Sequence, residues 1–160
     1  MVELNGVIWQ QSGVDVNRMI GKYPAKMDEK NRLFVPAKLR AELGGTFFVT
    51  VGYNGGRRCL TVYTEEGWNR LCDKYDQLPL AMKNGHTSTL FANAVECNPD
   101  KQFRFTLTQD LLNYAGIDRN VTIVGRAGQA EIWDQANYAA YELEALTPEN
   151  LMASLEAIGL

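Results

Sequence analysis

The feature that most constrains this fold is a repeat. Residues 28–45 read DEKNRLFVPAKLRAELGG, and residues 100–116 read DKQFRFTLTQDLLNYAG. Setting Asp28 on Asp100 places Arg32 on Arg104, Leu33 on Phe105, Val35 on Leu107, Leu39 on Leu111 and Gly44 on Gly116. The register continues past the glycines. TFFVTVG and NVTIVG are followed by the polar loops YNGGRR and RAGQ, then by CLTVY and AEIW, then by helix-like segments carrying Trp68 and Tyr138. Self-similarity sustained over such a length marks a duplicated structural unit.

The unit can be read physically. GKYPAKMD and NAVECNPD are short extended segments that run into turns, with Asn31 in the first and Asn98-Pro99-Asp100 in the second. Each turn returns into a strand, RLFV or RFTL. A helix follows, opened by Pro36, whose fixed φ suits a first helical turn, or by Thr108, whose hydroxyl can cap free amides. Gly44 and Gly116 can take the conformation that stops it. Two further strands form a hairpin through the glycine loop. The order is β-β-α-β-β in each copy. A unit of this size is too small to bury an adequate core alone, because domains below roughly 40–60 residues are marginal. The expected fold is therefore α+β, with two pseudo-symmetric units completing one barrel-like body and helices on its flanks.

Those flanking helices have their own signals. Trp68, Leu71, Cys72 and Tyr75 recur at helical spacing behind a Thr64 cap, with Glu65 and Glu66 in the first turn. Asp134 can cap QANYAAYELEAL, and Thr147-Pro148 opens a last helix. The expected boundaries are an extension or alternative start at 1–18, a first unit with trailing helix at 19–78, a linker helix at 79–93, a second unit at 94–145 and a final helix at 146–160.

Composition narrows the class. An apolar fraction of 46% supplies a core. No window approaches the ~18 continuous apolar residues of a membrane span, and the N-terminus has no basic segment leading into an apolar core. A cytoplasmic protein with no membrane partner is expected. Cys59, Cys72 and Cys97 form no C-x-x-C pair and are read as reduced thiols. The net charge is −3, yet between Lys22 and Arg58 eight Lys or Arg stand against Asp28, Glu29 and Glu42. Attraction for phosphate depends on local charge within ~8 Å at physiological salt, so an acidic chain can present a cationic face.

The paired D-x-x-x-R motifs, Asp28 to Arg32 followed by LFVPAKLRAELG and Asp100 to Arg104, resemble the MraZ family of bacterial regulators. That family is a two-copy branch of the AbrB-like swapped-hairpin fold, and LPL before the linker and VTIVG before AEIW agree with it. The resemblance runs over residues 19–145, and MIGKYPAKMDEKNR resembles the usual start. It implies a ring-shaped, octamer-like homo-oligomer. Such a ring would bind short direct repeats in double-stranded DNA upstream of the division and cell-wall gene cluster, repressing transcription of its own gene among others. No cofactor and no metal are implied.

Within that frame, Arg32 beside Lys30 can reach phosphate oxygens or the O6 and N7 of guanine. Lys38 and Arg40 are expected on phosphates, or simply on a solvated helix face. Arg104 is the second-copy counterpart of Arg32, and Lys101 in the same turn is expected at the interface beside it. Asp28, Asn31 and Asp100 organise the turns, since a carboxylate repels phosphate; Asp28 and Arg32 can equally just pair and stabilise the turn. The residue before the arginine is commonly glycine in the family. Asn31 tolerates positive φ, but Phe103 does not, so the second turn is expected to take another geometry, which counts against Arg104. Thr108 stands where the family usually has proline.

Rival functions are weaker. His86, the single histidine, sits in the linker beside Gly85, and no cysteine or carboxylate stands at catalytic spacing. An oligomeric ring scaffold, or an interaction module without DNA specificity, is the alternative to a regulator.

Overall fold

A computed structural model describes residues 18–160 together with the backbone of β1 (Glu3–Leu4) and β2 (Gly6–Ile8), which pair antiparallel. The reading of residues 1–18 as an extension thus lies, Arg18 and these two strands aside, outside the described residues.

The first copy comprises β3 (Lys22–Lys26), β4 (Arg32–Phe34), a 3-10 turn at Ala37–Leu39 running into α1 (Arg40–Leu43), β5 (Phe47–Asn54), β6 (Arg57–Thr64) and α2 (Glu65–Asp76). The linker follows as α3 (Leu80–Lys83), a 3-10 turn at His86–Ser88 and α4 (Thr89–Ala92). The second copy comprises β7 (Val95–Cys97), β8 (Arg104–Thr106), α5 (Gln109–Ala115), β9 (Asn120–Arg126), β10 (Gln129–Asp134) and α6 (Gln135–Ala145), with α7 (Pro148–Ile158) beyond it. Both copies have the β-β-α-β-β order. The linker is not the single helix expected, because Asn84-Gly85 interrupts it and Gly85, at φ −92° and ψ −144°, leaves the helical region.

The two copies exchange strands. An antiparallel sheet of six runs in the order β3-β9-β10-β6-β5-β7. Its edge strand β3, from copy one, pairs with β9 of copy two; its other edge, β7 from copy two, pairs with β5 of copy one. The remaining short strands, β4 and β8, form a separate ribbon in the register Arg32↔Thr106, Leu33↔Phe105, Phe34↔Arg104. Exchanging the copies leaves this register unchanged. Among the described residues β3 and β7 remain edges, so the sheet is open there and the expected barrel closure is not seen in its hydrogen bonding. The ribbon covers one sheet face instead.

Alternation dictates what lies between the layers. Phe47, Val49, Leu60, Val62, Val121, Ile123, Ala130 and Ile132 point from the sheet into the core, where they meet Leu33, Leu39, Phe105, Leu107, Leu111 and Leu112. Phe47 of one copy meets Phe105 of the other edge to face, centroids 5.1 Å apart. The core is thus common to both copies, as the small size of each unit requires.

The opposite sheet face is covered by the trailing helices. Thr64 Oγ1 caps α2, whose Trp68 stacks on Phe48 at 4.8 Å and meets Phe91 of α4. Asp134 caps α6, whose Tyr141 stacks on Trp133 at 4.9 Å. Cys59 and Cys97 are buried and Cys72 is half-buried, all as free thiols. Burial pushes the thiols of Cys59 and Cys97 up to about 12, so both stay protonated.

Candidate nucleic-acid interface

The two motif turns are built alike. In the first, the Asp28 carboxylate accepts from the amides of Lys30 and Arg32, both at 2.9 Å, and its second oxygen accepts from Arg32 Nε at 2.7 Å. In the second, Asp100 accepts from the amides of Gln102 and Arg104 at 2.9 Å and from Arg104 Nε at 2.9 Å. The amide of the motif arginine, ahead of its side chain, holds each carboxyl below its usual range. Each aspartate thus accepts three hydrogen bonds within its own turn.

Phe103 corrects the sequence reading. It takes φ 63°, beside 59° for Asn31, so both turns share one geometry. The reason lies in the exchange between copies. The carbonyl of Asn31 accepts from the amide of Leu107, and the carbonyl of Phe103 accepts from the amide of Val35. Each left-handed residue thus turns its carbonyl toward the other copy's chain just past its ribbon strand. A non-glycine residue in that region costs roughly 1–2 kcal/mol. Around Phe103, the amide of Asp100 bonds Arg104 O at 3.0 Å and the amide of Phe103 bonds Asp100 O at 2.9 Å, offsetting that cost.

The consequence for the arginines is specific. Each is tied through Nε to its own aspartate, and among the described residues neither Nη1 nor Nη2 of Arg32 or Arg104 holds an acceptor. Leu33 and Phe105 point into the core, so alternation puts Arg32, Phe34, Arg104 and Thr106 on the outward face. Arg32 stands opposite Thr106 and Arg104 opposite Phe34, which makes the arginines diagonal neighbours, ~7–8 Å apart by sheet geometry. Lys30 and Lys101 are exposed in the adjoining turns.

The other predicted cations fall differently. Arg40 donates from Nε to Val35 O at 3.0 Å, and its guanidinium carbon lies 3.9 Å over the Phe103 ring. It is a positioning residue for the second turn. Lys38 lies away from the turns, on the rim of a groove formed with β3. The copies also differ here, since Asp110 and Leu112 occupy the second-copy positions of Lys38 and Arg40. Sequence reasoning missed the Arg40–Phe103 pair and the side-by-side pairing of β4 with β8. The identical D-x-x-x-R strings were the available signal for the latter.

A duplicated swapped-hairpin fold with an arginine on each strand of an exposed ribbon defines a class of two-stranded β-ribbon proteins, a shape the major groove of DNA admits. Comparison with known proteins gives the family. The model described as "MraZ protein, putative antitoxin-like" matches residues 19–87 and again 90–157. Proteins named transcriptional regulator MraZ are similar along most of their length. The one from Halothermothrix orenii is 35% identical over 144 residues, covering 88% of this chain and 99% of the relative. That from Caldicellulosiruptor bescii is 39% identical over 135 residues, covering 83% and 90%. This chain belongs to the MraZ family, whose members carry a regulator's name rather than an enzyme's.

Proposed function

We propose that this protein is a sequence-specific DNA-binding transcriptional regulator whose β4–β8 ribbon presents Arg32 and Arg104 to base edges in the major groove. One observation carries the reading: two half-buried arginines, each fixed through Nε by its own aspartate, stand at diagonal positions on the outward face of one ribbon. Fixing Nε leaves the planar fork of Nη donors for guanine O6 and N7 or for phosphate. Lys30 and Lys101 act on phosphates from the turns. The relatives' name, transcriptional regulator, supports the same reading.

The finer assignment follows the resemblance. The protein assembles as a ring-shaped homo-oligomer, binds short direct repeats upstream of the division and cell-wall genes, and represses them, its own gene included. In a ring, weak ribbons engage successive repeats together, and affinity rises through effective concentration when the spacing fits.

The test is fluorescence anisotropy of the assembled protein on duplex DNA from upstream of its own gene, beside a scrambled duplex, a salt series and the Arg32→Ala protein. The expected result is preferential binding that weakens steeply with salt and vanishes in Arg32→Ala. Equal binding to both duplexes at low salt by the assembled parent abandons the regulator reading in favour of a scaffold.

A further inference from the structure

Two further surfaces carry opposite charge, and only Phe34 belongs both to one of them and to the ribbon face. The first is α7. All of its residues are exposed, and Asn150 Nδ2 ties it to α6 by donating to Glu144 O at 2.7 Å. Leu151, Met152, Leu155 and Ile158 fall on one stripe of this helix, with Met152 63% and Ile158 75% exposed. Glu149 and Glu156, two turns apart, flank that stripe. After Arg126 the sequence contains no Lys or Arg, against Glu131, Asp134, Glu142, Glu144, Glu149 and Glu156. An apolar helix on an acidic segment is left facing water.

The second surface is a groove of about 480 Å³ between edge strand β3 and the Pro36–Lys38 turn. Tyr23, Pro24, Ala25, Phe34, Pro36 and Ala37 line it, and its charged residues are Lys26 and Lys38. It belongs to the net basic segment from Lys22 to Arg58. Its mostly apolar lining suits aliphatic side chains, and Lys26 and Lys38 suit carboxylates.

We propose that the apolar stripe of α7 docks into this groove on a second copy of the chain, head to tail, with Glu149 and Glu156 facing Lys26 and Lys38. This rests on the homo-oligomer of the preceding section and names its contact. Helix and groove are different surfaces of one chain, so the contact is heterologous: each copy gives a helix to one neighbour and a groove to the other. Such contacts close into a ring when the rotation per step allows. The occupant is a copy of this chain because the complementary charges lie on the two ends of the same sequence.

Sedimentation velocity of the full chain tests this, with circular dichroism to verify folding. Two variants break opposite halves of the contact: Met152→Asp/Ile158→Asp on the helix and Ala37→Glu in the groove. Each is expected to run at the mass of one chain where the parent is assembled. Mixed in equal amounts, they retain one intact helix and one intact groove, and a two-chain species is expected. Lys38→Glu is a second groove variant at an exposed position; it weakens assembly, and Glu156→Lys in the same chain restores it. A monomeric parent, an assembled helix variant, groove variants that both keep the parent mass, or a mixture that stays at one chain overturns the proposal. Duplex binding is not read here, so the regulator and the contact stand or fall separately.

Discussion

The guanidinium carbon of Arg40, from the helix of the first copy, lies 3.9 Å above the ring centroid of Phe103, from the turn of the second. This contact joins the copies at a turn where the bulky Phe103 takes positive φ. Cation–π pairs contribute about 0.5–2 kcal/mol depending on desolvation. Arg40→Ala is expected to destabilise the fold by roughly 1–2 kcal/mol, including the lost bond to Val35 O. In a Phe103→Gly background the same change costs less, since only that bond remains to lose. A double-mutant cycle by urea unfolding checks it, and a coupling energy of zero contradicts the contact.

Much of this fold was legible because duplication writes each local signal twice. The turn, strand, short helix and hairpin of copy one agreed with those of copy two, and caps such as Thr64, Asp134 and Thr147 follow local rules of hydrogen bonding. Partner choice between strands was not legible. Nothing local in Lys22–Lys26 says that it pairs with Asn120–Val124 rather than with its own copy, because strand exchange is decided by the common core. Phe103 failed for the same reason: its intrinsic preference was read correctly, but the amide of Val35 and the guanidinium of Arg40 come from the other copy. Arg32 as the end of an organised motif was readable; its diagonal placement beside Arg104 depended on tertiary pairing.

Asp28 and Asp100 give the protein an acid limb. Both carboxyls are held below their usual range, first by the amides of Arg32 and Arg104. A depressed folded value means that the stabilisation is fully present above the unfolded value of about 3.9 and is lost as pH falls through the folded one. Asp28→Asn/Asp100→Asn is therefore expected to be less stable than the parent by a constant amount at neutral pH, with the gap closing below about pH 4. Denaturation midpoints measured across that range check the sign. A gap that widens toward acid contradicts it.

Gly125 is required by a neighbour rather than by its own backbone. A Cβ there would lie 2.5 Å from the Met19 carbonyl carbon and 2.7 Å from Ile20 Cα, backbone that cannot swing aside. That segment is pinned by Met19 N to Ala127 O at 2.7 Å and Ala127 N to Met19 O at 2.9 Å. Gly125→Ala is expected to cost about 1–3 kcal/mol, the usual range for overpacking. Gly128→Ala, where a Cβ meets nothing within 4 Å, is the control and stays near the parent in thermal unfolding.

Arg32→Lys separates reading from attraction. The lysine keeps the positive charge but has one nitrogen where arginine divides its work between Nε on Asp28 and an outward pair of Nη donors. An ammonium drawn back to the Asp28 carboxylate leaves no fork for a base edge, and one reaching outward leaves Asp28 without its side-chain partner. Sequence preference in the Arg32→Lys protein is expected to fall by about 1–3 kcal/mol per ribbon site, the value of a bidentate base contact, while binding to scrambled duplex changes little. Lys30→Ala shows the converse: affinity falls on both duplexes, and the slope of log affinity against log salt drops by about one per ribbon. Anisotropy titrations on matched and scrambled duplexes measure both. If Arg32→Lys keeps its full preference, the fork is not reading bases, and Arg32 contributes charge alone.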